Sequence, residues 1–486
     1  MALDRRDFLK TTTTAAAAWA SGLLSAAEPT AVEGDPALVR LLIDTDREHL
    51  PESLVARIRA GLPYPTLLGA LAEAAVRTVQ PYPVVGYKYH AFMVLQAVHL
   101  ASVHARPEDR WLPLLWAADA FKGSQAEERE AGTWSLEPVP AHPVPPAGQA
   151  ETAFLEAMDQ WDPQAADAAL VGLLPALPRE RLFAYGARDV RDLGHKAITV
   201  ANCHRLLTVV PPQHAEPLLR SVVLALQNHQ GQPHPATADL AADRPGRRNR
   251  VLAAQALTPV AAADAAPGDP VPPLLQTLRE GSDALATDAV MQSLGQGVPE
   301  SAAWTAVFAA AGELMLQAPG IIAVHANTTA NALYYGSRQV ADPALRRLLL
   351  LQAAAFLPHL RGLLQTPRRE LAIDQLEPAE AGGAPGADQE VQLTAIFAGL
   401  RADPLGAARR TLGYLQAGGP EAPFMALARR YTLERATGYH DYKLAEAAFE
   451  NAAALPSPWR ERYLAANVPY LNSPADRPNA VVARYR

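Results

Sequence analysis

The chain has one cysteine, Cys203, in 486 residues. No internal disulfide is therefore open to it, and neither is a multi-cysteine zinc site, a cysteine-ligated iron–sulfur cluster or a haem held through Cys-x-x-Cys-His. Any metal must use His, Asp or Glu. Long apolar runs are also missing: after the N-terminus no stretch of eighteen apolar residues occurs, so nothing there is expected to cross a membrane as a helix. Charge of one sign is not concentrated. The 43 basic and 50 acidic residues give a net charge of −7 without long blocks, which argues against a nucleic-acid-binding face. The sequence carries no Gly-rich strand-to-helix loop, no His-Glu-x-x-His and no Gly-x-Ser-x-Gly, which removes dinucleotide folds, phosphate loops, zincins and nucleophile-elbow hydrolases.

What is present begins with an address. Arg5-Arg6-Asp7-Phe8-Leu9-Lys10 precedes a mild Ala- and Thr-rich run, Thr11 to Leu24, and then the small residues Ser25-Ala26-Ala27. This resembles a twin-arginine export signal, which is read by a translocase and is too short and polar to act as an anchor. The resemblance implies residues 1–27 as the signal, an export translocase as partner, a periplasmic or extracellular product, and transport in the folded state. Asp4 stands where the pattern usually has Ser or Thr.

Beyond it, apolar residues recur at helical spacing almost everywhere, with Pro and Gly at the junctions and no train of alternating strands. The expected fold is all-α: stacked antiparallel helical hairpins, an α-α repeat or toroid-like bundle. Residues 28–486 are expected to form a single large helical domain, with two halves meeting near 231–250. That segment carries Arg244, Arg247, Arg248 and Arg250 and reads as a solvated loop.

Four segments share one layout, in which a histidine opens a helix and a proline follows 16 to 18 residues later, before a second apolar helix. They are His90 with Pro107, His195 with Pro211 and Pro212, His325 with Pro343, and His440 with Pro456 and Pro458. Stacked hairpins, each burying its apolar face on the next, would produce this pattern. His99, His104 and His204 cannot join their helix-mates at one ion. His90 and His99 point apart at about 100° per residue, and so do His195 and His204; His90 and His104 lie about 21 Å apart along the axis. Each helix can therefore offer one histidine to a common centre.

Around these histidines the polar residues are grouped. Read as helical over 187–209, the chain places Arg188, Asp192, His195, Thr199 and Asn202 on one stripe, with Asp192 one turn ahead of His195 where it would orient the ring. Val324 to Gly336 concentrates His325, Asn327, Thr328, Thr329 and Asn331, poor helix formers whose donors and acceptors suit a polar pocket. In Tyr439-His440-Asp441-Tyr442-Lys443, Asp441 fits a helix cap. Asp192, His195, His325 and Asn331 are the candidate catalytic residues; His90, His195, His325 and His440 are the candidate metal ligands.

His90-Ala91-Phe92-Met93 and Val324 to Leu333 resemble segments of the questin oxidase-like family. That resemblance implies a helical protein and oxidative ring-opening of anthraquinone-type substrates; it assigns no residue a role. Taken together, the sequence points to an exported oxidoreductase acting on a small organic substrate in a central His-lined cavity. It would hold iron or copper, or use its imidazoles as acid and base without a metal. The alternative is a periplasmic helical-repeat protein that binds a ligand or serves as a scaffold.

Overall fold

The computed structural model describes residues 36–486 apart from 83, 139, 175–176, 178–179, 230, 257–267, 365–368 and 381–387. The expected signal, residues 1–27, lies outside the described residues. Among the described residues every regular element is a helix, so the chain is all-α. No described helix is long and apolar enough to cross a membrane.

The architecture follows from the four His–Pro segments. The first gives α1 (His90–Met93), α2 (Leu95–His104) and, after a short turn opened by Pro107, α3 (Leu112–Ala131). The second gives α4 (His195–Leu206) and α5 (Ala215–Leu226), the third α6 (Ile321–Gln339) and α7 (Pro343–Gly362), and the fourth α8 (Tyr439–Ala453) and α9 (Trp459–Asn467). Each proline lies at or just before the start of the returning helix, where its missing N–H has no intrahelical partner to lose. With α2 continuing the short α1 that carries His90, the inner helices pack on one another in a closed circuit: α2 on α4, α4 on α6, α6 on α8, and α8 back on α2. Their partners α3, α5, α7 and α9 each pack on the inner helix that precedes them. All four histidines lie near the N-terminal ends of their helices, while Leu100, Arg205 and Glu450, each ten residues after one of them, line one narrow space. The inner helices therefore run in the same direction around a common axis.

α6 shows why such a helix needs the ring. It is buried along nearly its whole length, and Ala323, Ala326, Ala330 and Ala332 are small enough to let its neighbours approach. The amides that would weaken an isolated helix are bonded across it. Asn327 donates to the carbonyls of Ala311 (3.0 Å) and Ala323 (2.8 Å) and accepts from the Tyr463 hydroxyl (2.7 Å). Buried amides paired in this way fix one arrangement of neighbours, because leaving one unpaired costs about 1–3 kcal/mol.

The 231–250 segment differs from the expected loop. Arg244–Ala253 is a helix opened by Pro245 and packed against α7. Three of its four arginines are paired within the protein: Arg244 and Arg247 with Asp239, and Arg248 with Asp288.

Candidate metal centre

The N-terminal ends of α1, α4, α6 and α8 bring His90, His195, His325 and His440 together, with one ring nitrogen from each lying within 4.8 Å of the others. The Nε2 atoms follow one another at 3.1 Å (His440 to His90), 3.2 Å (His90 to His195) and 2.9 Å (His195 to His325). The rings form a circuit, edge to face, with centroids 4.6, 4.9 and 4.4 Å apart along the same order and 5.1 Å from His325 back to His440.

Three of the four tautomers are set by the backbone. The Nδ1 atoms of His90, His195 and His325 lie 2.9, 2.5 and 2.7 Å from the carbonyl oxygens of Tyr87, Asp192 and Ile321. A carbonyl only accepts, so each Nδ1 carries the proton and each neutral ring turns a bare Nε2 lone pair inward. Burial, with Lys443 and the neighbouring imidazoles adding to it, holds His90 and His195 well below the ordinary histidine range. Burial and Lys443 likewise push His325 down to about 3 and His440 to about 2. The quartet is neutral at pH 7. Among His90, His195 and His325, bare lone pairs facing one another at these separations repel unless a cation lies among them. Nitrogens bound about 2.0–2.1 Å from one ion would sit about 2.9 Å apart at right angles and about 3.4 Å apart in a tetrahedron, which brackets the three successive separations.

The chain is bent to aim these rings. Tyr87 and Leu193 have φ of 40° and 54°, and Gly194 has φ of 83°. Left-handed conformations cost a non-glycine residue about 1–3 kcal/mol and cluster at functional sites. Here they turn the chain immediately before His90 and His195. A Cβ on Gly194 would lie 2.2 Å from Thr329 Oγ1, and that hydroxyl donates to the Leu193 carbonyl at 3.1 Å. Gly194→Ala is expected to lower stability to chemical denaturation by about 2 kcal/mol or more and to displace His195 from the quartet. A variant as stable as the parent would contradict this.

Several candidate residues act differently from expectation. The helix expected over 187–209 begins only at His195, because Gly194 is left-handed, so Arg188 and Asp192 are not on the stripe. Asp192 does orient His195, but through its backbone carbonyl; its carboxylate accepts from the Val85 amide at 3.2 Å, and burial pushes its pKa up to about 6. Arg188 stacks over Trp161 at 3.2 Å. Asn331 does not touch the quartet. It donates to Glu450 (3.0 Å) and Asn451 (2.9 Å) and accepts from Arg205 (3.2 Å), further along the inner ring. Asp441 caps α8 as expected, accepting from the amides of Thr437 and Gly438. Tyr439 stacks on His90 with centroids 5.5 Å apart and donates to the Ala120 carbonyl.

No family model, curated protein or solved structure matches the chain. The chemistry is read from the site itself.

Below the quartet runs a polar shaft of about 30 Å³, lined among others by Gln96, Ile198, Thr328, Asn331, Lys443 and Glu446. The lining repeats by position: Ile198, Thr328 and Lys443 are each three residues after their histidine, and Gln96, Asn331 and Glu446 each six. A larger cavity, about 450 Å³, lies outside the ring beside His104 and Arg429. Lys443 is the residue that sequence reasoning left without a role. It is 4% exposed, its Nζ has no hydrogen-bond partner, and burial lowers its pKa to about 7. The available signal was its place one turn after His440, on the face of the helix that also carries Glu446 and Glu450.

Proposed function

We propose that the four imidazoles bind one redox-active first-row metal ion, iron or copper, and that the protein is an exported oxidoreductase acting on a small organic substrate. The observation that carries this reading is the convergence of four buried, neutral imidazoles whose Nε2 atoms follow one another at 2.9–3.2 Å, three of them with bare lone pairs. Imidazole nitrogen suits iron and copper, and four such donors leave room on the ion for a further ligand. When bound, the ion would supply one-electron chemistry and polarise that ligand. The chain contributes the rest: three backbone carbonyls hold the rings in the ligating tautomer, and burial keeps water away and the imidazoles unprotonated.

Two features of the sequence support the same reading. The segments resembling questin oxidase-like proteins contain two of the four histidines, His90 and His325. A twin-arginine signal fits a product exported folded, with its metal already in place. The scaffold alternative is less well supported, because the four histidines converge on one point instead of lying dispersed along the helices.

Elemental analysis of protein purified from its export compartment tests the proposal. About one iron or copper per chain is expected, lost in His195→Ala and kept in His104→Ala, whose histidine lies outside the quartet. Absence of metal from freshly exported wild-type protein would overturn it.

A further inference from the structure

We propose that Lys443 and the imidazole quartet form a binding site for one small anion, of one to three atoms, held between the metal and the Lys443 amine at the head of the shaft. The inference rests on the metal reading above.

Three observations lead to it. First, the Lys443 Nζ is buried and unpartnered, although buried amines are almost always paired. It stands one turn along α8 from His440, lines the shaft at the level of Ile198 and Thr328, and hydrogen bonds to none of the four imidazoles. Second, the acids around it are engaged elsewhere. Glu446 and Glu450, which line the shaft with it, are held by Arg429 at 2.8 Å and by Arg205 at 2.9 Å, and Asp192, beside His195, accepts from the Val85 amide. Third, all four metal donors are neutral, so a divalent ion would bring two positive charges beside the amine without a carboxylate to balance them. A small anion answers all three conditions: it ligates the ion from the shaft side, accepts from Nζ, and lowers the net charge of a buried site. The size of the shaft restricts the class to hydroxide, a halide, azide or a similar ion.

Azide is the probe. Wild-type protein, Lys443→Met and Lys443→Gln are each loaded with one equivalent of Cu(II), copper content is measured, and azide is titrated at fixed ionic strength while its charge-transfer absorption is followed. The expected result is saturable binding to wild type, weakened about tenfold or more in Lys443→Met, the size of a lost hydrogen bond to a charged group, with copper content unchanged. Lys443→Gln, which keeps a donor without the charge, is expected to fall between the two and decides the matter if Lys443→Met does not fold. Equal azide affinity in copper-loaded wild type and variants overturns the proposal. So does stoichiometric copper without azide binding, which leaves the metal reading intact. Failure of wild-type protein to retain copper removes the metal reading and this inference with it.

Discussion

Acidified from neutrality to about pH 4, the metal-free protein is expected to unfold cooperatively with net uptake of about three protons by the groups of the quartet region. The four histidines have folded pKa values below their ordinary 6.5, with His325 at about 3 and His440 at about 2. Between those values and 6.5 the unfolded chain binds protons that the folded chain refuses, so stability falls as the pH drops through that window. Asp192, pushed up from 3.8 to about 6, runs the other way and offsets about one of the four. Each uncompensated proton is worth about 1.4 kcal/mol per pH unit, so a total stability of about 5–15 kcal/mol is exhausted within a few units. Far-UV circular dichroism against pH, with proton uptake by titration, measures both. Stability independent of pH between 6.5 and 4 would show that the imidazoles are not held neutral by burial.

Replacement of Lys443 by Met should make the metal-free protein more stable, in contrast to most core substitutions. Lys443 falls from 10.5 in the unfolded chain to about 7 in the folded one. Between those values the unfolded chain binds the extra proton and stability rises with pH; below about 7 the full penalty applies, on the order of 3–5 kcal/mol. Methionine fills similar space without the charge. The gain should appear as a melting temperature about 5 °C or more higher at slightly acid pH, and shrink toward nothing as the pH approaches 10.5. An unchanged or lower melting temperature at acid pH would mean that the amine is solvated or paired in solution. The stabilised variant is also the one expected to lose azide affinity, so stability and ligand binding should move in opposite directions at this residue.

The helices were legible because their apolar spacing is regular, and the ring was legible in outline because each turn of it repeats a histidine and a proline. Angular arithmetic on single helices correctly left His99, His104 and His204 out of the centre. The local chain path was not legible. Asp192 and His195 are three residues apart in any conformation, and only the left-handed Leu193 and Gly194 decide that the carbonyl, not the carboxylate, meets the ring. Asn331 was grouped with His325 because they share a segment. Its neighbours Glu450, Asn451 and Arg205 come from other helices, and no local pattern announces them. Lys443 was hidden for a related reason: a lysine in a titratable cluster looks solvated until the surrounding helices are known to close over it.

The spacing of the four histidines along the chain has a consequence for biogenesis. They are residues 90, 195, 325 and 440, one from each inner helix, so a ribosome has completed three of the donors long before the fourth exists. A nascent chain can offer at most a three-coordinate precursor, open on the side where α8 will later sit. If the quartet holds an ion as proposed, the complete donor set exists only once α8 is made and seated between α6 and α2.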